Sequence, residues 1–174
     1  MKRIILIGFM GSGKSVLGKK IANRLEIPFI DSDNEIEEYF GKSVGEIFAD
    51  HGEAFFRSLE REYIDALDLR DDFVLATGGG MPCFHSNMER LNEIGTTFYL
   101  ERSPKELTNR LINAKSPRPL IKSLDKEELL TYIEDKLSER DEFYKKATVI
   151  LSREEQNVED IARLTHHLQP LQKS

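Results

Sequence analysis

The chain has 174 residues, of which 39% are hydrophobic and 32% are charged, as expected for one globular domain with a sizeable core. Its net charge of −6 excludes a broad, unspecific nucleic-acid binder, because such proteins carry a basic surface. No apolar run approaches the roughly 20 residues of a membrane-spanning helix, and a single cysteine excludes an internal disulfide. We therefore expect a cytoplasmic protein with no nucleic-acid or membrane partner.

Predicted strands and helices alternate along the chain. Continuous apolar runs predict strands at residues 3–7, 28–31, 73–77, 96–100 and 148–151. Helical spacing of apolar residues and capping-box sequences predict helices that begin near residues 14, 43, 53, 103, 125 and 157. This alternation is typical of a parallel sheet covered on both faces, so we predict a three-layer α/β/α fold with a five-stranded parallel sheet.

A glycine-rich segment joins the first predicted strand to the first helix. Residues 8–15 read GFMGSGKS and match the phosphate-binding pattern G-x-x-x-x-G-K-[ST]. The glycines let backbone N–H groups point at phosphate oxygens, and the helix N-terminus adds the positive end of its dipole. Lys14 would then reach the β- and γ-phosphates, and the Ser15 hydroxyl would ligate Mg²⁺. The alternative is a tight turn with an exposed lysine, but the strand–loop–helix context favours a nucleotide site.

Two aspartates and a glycine triplet follow the second and third predicted strands. Asp31, Asp33 and residues 78–80 fall at the carboxyl ends of these strands, where an open α/β sheet forms its ligand crevice. One carboxylate can hold Mg²⁺, directly or through water, and the other can orient or deprotonate an attacking hydroxyl. The glycines would admit a ligand close to backbone N–H donors. The alternatives are a helix N-cap for the aspartates and a plain loop for the glycines.

Two arginines are candidates for binding an acid. Arg140 falls on the apolar stripe of its helix, three residues after Leu137 and four before Tyr144. An inward guanidinium needs an anionic partner, either an internal acid or the carboxylate of a substrate. Arg57 lies three residues before Glu60, so a structural ion pair is an equally good interpretation of that position. The planar fork of arginine holds a carboxylate at two points, which suits an acid substrate.

In this order, the motifs resemble those of the shikimate kinase family. The matching parts are the phosphate-binding loop, the aspartates Asp31 and Asp33, the F-R-x-x-E segment at 56–60, the triplet at 78–80, the lid arginine Arg118 before a proline, and the R-x-x-x-Y segment at 140–144. The resemblance extends to about Tyr144, most of the chain. Two departures are Glu142, where the family often has proline, and residues 152–157, which lack the proline often found near the adenine.

The resemblance implies a shikimate kinase activity, the transfer of the γ-phosphate of ATP to the 3-hydroxyl of shikimate. The products would be ADP and shikimate 3-phosphate, on the route to chorismate and the aromatic amino acids. The implied cofactor is Mg²⁺, held by Ser15 and, through water, by Asp31. The implied catalytic residues are Asp33, Lys14 and Arg118. The implied ATP site consists of Gly11, Ser12, Gly13, Lys14, Ser15, Val16, Arg110, Arg118 and Gln156. The implied substrate site consists of Asp33, Arg57, Gly78, Gly79, Gly80 and Arg140.

We predict a single P-loop kinase domain over residues 1–174, and the family resemblance implies a monomer. A substrate-binding helical segment is expected at about 32–60, and a lid loop with two prolines at about 113–123. One rival hypothesis is a kinase for another hydroxylated acid or sugar, such as gluconate. The other is a nucleotide-dependent switch without transfer chemistry, which would carry an N-K-x-D guanine-recognition motif; the sequence has none.

Overall fold

The computed structural model describes residues 2–114, 121 and 123–167, and these form five strands and eight α-helices. The strands are β1 (Arg3–Ile7), β2 (Phe29–Asp31), β3 (Phe73–Ala76), β4 (Thr96–Leu100) and β5 (Val149–Leu151). The helices are α1 (Lys14–Leu25), α2 (Ser32–Phe40), α3 (Val44–His51), α4 (Glu53–Leu67), α5 (Asn87–Ile94), α6 (Pro104–Ile112), α7 (Lys126–Tyr144) and α8 (Val158–His167). Short 3₁₀ turns lie at Met81–Cys83 and Arg153–Glu155.

The strands form one parallel sheet in the order β2-β3-β1-β4-β5. Ile4 of β1 lies opposite Val74 of β3 on one side and Thr96 of β4 on the other. The chain leaves β1 towards β2 and β3 and then crosses to β4, so the strand order reverses at β1. The crevice that such a reversal creates lies beyond the carboxyl ends of β1 and β3.

Both faces of the sheet are buried, which confirms the predicted three-layer fold. Along β1, Ile4 and Leu6 face a core formed with α1 and α8, whereas Ile5 and Ile7 face a core formed with α4, α5 and α7. This alternation follows from the two-residue period of a strand. A smaller cluster between α6 and α7 contains Phe9, next to the phosphate-binding loop.

The predicted helix starts are confirmed where the sequence carries a cap. Ser43 and Ser103 each accept a hydrogen bond from the backbone N–H of the glutamate three residues later, which completes the predicted capping boxes of α3 and α6. Helix α5 was not predicted. It begins after Ser86, which has a positive φ of 55° and no side-chain capping bond, so no start signal is visible. In the part of the chain that is described, no helix is long and apolar enough to cross a membrane.

Candidate active site

The phosphate-binding loop folds tightly between β1 and α1. Gly8, Gly11 and Gly13 adopt positive φ values of 141°, 80° and 106°, which side chains other than glycine rarely accept. The Ser12 N–H donates to the Phe9 carbonyl over 3.1 Å and closes the turn. The loop therefore places the N-terminus of α1 beside the crevice, where its backbone N–H groups favour an anion.

The Lys14 side chain lies inside this loop. Its Nζ donates to the Gly8 carbonyl over 2.7 Å and to the Phe9 carbonyl over 3.0 Å, and the residue is 8% exposed. These carbonyls hold the ammonium group at the concave side of the loop. Positive charge is thus already concentrated there in a protein whose net charge is negative.

Ser15 and Asp31 bring two hard oxygen donors together at the carboxyl edge of the sheet. The Ser15 hydroxyl donates to Oδ2 of Asp31 over 2.7 Å. Among the described residues, no group of at least three His, Cys, Asp or Glu side chains could hold a metal ion. The donor pair fits Mg²⁺, because this ion uses one or two protein oxygens and completes its shell with water and substrate phosphates.

A hollow of about 460 Å³ opens between these elements. Its walls are the phosphate-binding loop, Asp31 and Asp33 after β2, Gly78 and Gly79 after β3, and Arg110 at the end of α6. The crevice predicted at the strand ends is therefore present. Arg57, Arg140 and Gly80 do not line it; Arg140 lies against Gly79 and Arg57 against Gly80.

Each glycine of the triplet faces a different charged side chain. A Cβ on Gly78 would overlap Oδ1 of Asp33. A Cβ on Gly79 would lie 3.5 Å from Nη1 of Arg140, and one on Gly80 would lie 2.7 Å from both terminal nitrogens of Arg57. Gly78 and Gly80 therefore make room for the Asp33 carboxylate and the Arg57 guanidinium, and the Arg140 guanidinium lies beside Gly79 in the same loop after β3.

The backbone of the triplet is also tied into the protein. The Gly78 N–H donates to the Ser32 hydroxyl over 2.8 Å, so this amide already has a partner. The Gly79 carbonyl accepts a hydrogen bond of 2.6 Å from the Tyr144 hydroxyl. Burial raises the pKa of Tyr144, which keeps the phenol a neutral donor. Helices α2 and α7 are thereby fixed to the same loop.

Arg57 lies in a buried network on α4. Its Nη1 donates to Glu60 over 2.8 Å, and its Nη2 and Nε donate to Oε1 of Glu53 over 2.8 and 3.2 Å. The Phe84 ring lies under the guanidinium, 4.2 Å from Cζ to the ring centroid. Burial raises the pKa of Glu60 to about 7, and the nearby Asp33 adds to the rise, although the Arg57 charge opposes it. The predicted ion pair with Glu60 is present together with the contact to Gly80.

Arg140 has different surroundings. It is half-buried on α7, with Cζ 5.5 Å from the centroid of the Phe9 ring. Within the described ranges Arg140 forms no ion pair with a carboxylate; its charge acts on Glu60, but that carboxylate is paired with Arg57. Of the two partners that the sequence left open, a substrate carboxylate is the one these contacts favour.

The remaining predicted ATP residues are more widely spread. Arg110 is exposed, and its Nη2 lies 3.2 Å from where a Cβ on Gly13 would be. Val16 is 64% exposed at the start of α1 and lines the hollow. Gln156 lies outside the lining of the hollow, and its Nε2 donates to the carbonyls of Glu101 and Leu151 over 2.8 and 2.9 Å. Arg118 and most of the predicted lid lie outside the described residues.

Two residues next to the site were not predicted. Glu53 has a visible signal, because it lies four residues before Arg57 on a predicted helix. Ser32 has no such signal, because its partner Gly78 is 46 residues away in the sequence.

Comparison with known proteins gives a consistent result. The family model described as "Shikimate kinase" matches residues 10–169. The shikimate kinase of Bacteroides fragilis is 44% identical over 173 residues, which cover 99% of this chain and 96% of that protein. The crystal structure of the Bacteroides thetaiotaomicron shikimate kinase has a TM-score of 0.88 at 41% identity, covering 96% of this chain and 98% of the other. The solved structure of the Acinetobacter baumannii shikimate kinase in complex with shikimate has a TM-score of 0.80 at 32% identity, covering 97% of this chain and 96% of the other.

Proposed function

This chain belongs to the shikimate kinase family and is an ATP-dependent kinase, and from that premise we propose that it phosphorylates the 3-hydroxyl of shikimate. The observation that carries the proposal is the convergence of Asp33, Arg140 and Arg57 on the glycine triplet, beside the phosphate-binding loop. This arrangement offers an acidic group for a hydroxyl and cationic groups for a carboxylate next to the place where a triphosphate would end.

ATP would bind with its phosphates against the loop at residues 8–15. The N–H groups at the start of α1 and the Lys14 ammonium would contact the β- and γ-phosphates, and Arg110 would lie beside the nucleoside. Lys14 would exchange the carbonyls of Gly8 and Phe9 for phosphate oxygens, which attract an ammonium group more strongly. Mg²⁺ bound at Ser15, and through water at Asp31, would neutralise phosphate charge.

The acceptor would bind on the other side of Asp33. The Asp33 carboxylate would hold the attacking hydroxyl in line with the γ-phosphate and accept its proton. Arg140, which has no carboxylate partner among the described residues, would take the acid group of the acceptor together with Arg57. Phosphoryl transfer requires mainly this positioning and the dispersal of negative charge.

Three further parts of the proposal rest on the sequence. Arg118 would contact the phosphates from a lid at about residues 113–123, and closure of this lid would exclude water from the reaction. The chain would act as one kinase domain with its substrate-binding segment at about 32–60. It would act as a monomer in the cytoplasm, where a single cysteine suits the reducing conditions. Size-exclusion chromatography with light scattering tests the oligomeric state.

The assignment is tested by measuring ADP release from ATP and Mg²⁺ with a panel of hydroxylated acids and sugars. We expect release to require shikimate and a product phosphorylated at the 3-hydroxyl, identified by ³¹P NMR. Gluconate is the matched comparison, because it is also a hydroxylated carboxylic acid. Preferential phosphorylation of gluconate would favour the rival kinase, and slow hydrolysis that ignores every acceptor would favour a nucleotide switch.

A further inference from the structure

The Arg57 guanidinium is surrounded on every edge. The edge formed by Nε and Nη2 is held by Oε1 of Glu53, at 3.2 and 2.8 Å. Nη1 donates to Oε2 of Glu60 over 2.8 Å. The edge formed by Nη1 and Nη2 faces Gly80 so closely that not even a Cβ would fit there. A substrate carboxylate can therefore reach this arginine in a bidentate manner only by taking the place of one of these neighbours.

The two carboxylates differ sharply in their burial. The Glu60 side chain is 1% exposed, whereas the Glu53 side chain is 57% exposed. Glu60 cannot leave without emptying a buried position, and the backbone at Gly80 belongs to the loop that Ser32 and Tyr144 fix. Glu53 is the first residue of α4 and follows Gly52, whose φ of 83° only glycine adopts readily. Its side chain can turn into solvent without disturbing the core.

From these contacts we infer that Glu53 occupies the position of the acceptor's carboxylate on Arg57 and is displaced when the acceptor binds. The inference rests on the proposed function and names a residue that sets the affinity of this site for acids. Glu60 is the permanent partner that orients the guanidinium. Glu53 is a replaceable partner that keeps the charge of Arg57 satisfied while no acceptor is present.

Displacement of Glu53 predicts that a substitution in the site increases the affinity for the acceptor. If the acceptor must break the ion pair between Glu53 and Arg57, removal of the Glu53 charge should strengthen binding of an acid. If Glu53 instead holds Arg57 in its binding geometry, the same change should weaken binding. An acceptor without a carboxylate has nothing to exchange with Glu53, so its affinity should not respond.

The test compares Glu53→Gln with wild type and with Glu62→Gln. Glu62 is an exposed glutamate on the same helix, so this control makes the same charge change away from Arg57. Calorimetry would give the Kd of shikimate, and steady-state assays would give its KM. For Glu53→Gln we expect both constants to fall by about two- to fivefold, the range that corresponds to breaking an ion pair with a solvent-exposed partner. The KM for ATP should stay at the wild-type value.

The same measurements with the analogue of shikimate that carries hydrogen in place of its carboxyl group complete the test. Its Kd should be equal in the wild type and Glu53→Gln. An unchanged or raised Kd for shikimate in Glu53→Gln, or an equal gain for the analogue, would overturn the role given to Glu53. A wild-type enzyme that does not phosphorylate shikimate would instead refute the proposed function, so the two failures are distinguishable.

Discussion

Gly80 lies against the guanidinium of Arg57 so closely that a Cβ on the glycine would be 2.7 Å from both terminal nitrogens of the arginine. The φ of Gly80 is −87°, an ordinary value for any residue, so the need for glycine here is one of space. Arg57 can therefore occupy its position only because residue 80 has no side chain.

Gly80→Ala should push Arg57 away from the triplet. We expect a rise in the KM for shikimate of about tenfold or more and a loss of about 1–3 kcal/mol in the free energy of unfolding, because the added methyl group overpacks a filled site. Gly45→Ala in α3 is the control, since its Cβ would meet only the Ser43 hydroxyl at 4.0 Å. Wild-type kinetics in Gly80→Ala would show that binding of shikimate does not depend on this position of the Arg57 guanidinium.

Lys14→Ala removes the ammonium group held in the phosphate-binding loop. We expect the rate of phosphoryl transfer to fall by at least about a hundredfold, because in the proposed mechanism this charge would contact the phosphates during transfer. Thermal unfolding followed by circular dichroism should show an intact fold. Lys20→Ala at an exposed position of α1 is the matched control. Turnover at the wild-type rate in Lys14→Ala would refute the role of Lys14.

Asp33→Asn keeps the size of the side chain but removes its charge and basicity. We expect kcat to fall by about 10²–10⁴-fold, the usual contribution of a positioned general base. The Kd for ATP, measured by calorimetry, should change little. Asp135→Asn, an exposed position on α7, provides the control for the charge change. A kcat within threefold of the wild-type value, a difference of about 0.7 kcal/mol in activation free energy, would exclude Asp33 as the base.

Arg140→Ala should mainly weaken binding of the acid substrate. We expect the KM for shikimate to rise by about 10- to 100-fold, because a charge-assisted hydrogen bond to a carboxylate is lost. The KM for ATP should stay constant, and Arg163→Ala on α8 should behave as wild type. An unchanged KM for shikimate would make Arg140 a structural residue that packs on Phe9.

Glu60 should make stability depend on pH. Burial raises its pKa from 4.5 to about 7, so the folded protein keeps this proton over a range in which the unfolded chain has lost it. The resulting stabilisation is fully present below about pH 4.5 and is lost as the pH rises through about 7. In Glu60→Gln the side chain stays neutral, so this loss should be absent.

Urea unfolding of both proteins between about pH 5 and pH 8 measures the effect. Relative to Glu60→Gln, the wild type should lose about 1–3 kcal/mol in its free energy of unfolding across this pH range. This loss is the one expected for a pKa shift of this size in one buried carboxyl group. Glu62→Gln should follow the wild type. Parallel pH profiles for wild type and Glu60→Gln would show that Glu60 is ionised throughout.

The thiol of Cys83 is not activated by the charged residues near it. Burial raises the pKa of its thiol to about 11, and the charges of Arg140 and Arg57 oppose this rise without cancelling it. A thiol with such a pKa is almost wholly protonated at neutral pH and reacts slowly.

The parts of the site that the sequence predicted well are those built from neighbouring residues. The phosphate-binding loop is contiguous from Gly8 to Ser15, and its conformation follows from the glycines it contains. The capping boxes of α3 and α6 are equally local. Such features can be predicted because both partners of each interaction lie within one turn of chain.

The surroundings of the triplet could not be predicted in this way. Asp33, Arg57 and Arg140 stand on α2, α4 and α7, and their approach to residues 78–80 depends on how these helices pack on the sheet. The sequence suggested that the glycines admit a ligand to the backbone. The structure adds that they also admit protein side chains, and that one of their amides is already bonded to Ser32.

The pairing of each glycine with its own charged neighbour limits how this enzyme can be redesigned. In a library randomised at residues 78–80 and selected for growth on a different hydroxylated acid, glycine should return at positions 78 and 80, because a Cβ there would overlap the Asp33 carboxylate or the Arg57 guanidinium. Diversity useful for a new specificity has to be introduced on the helices that approach these positions.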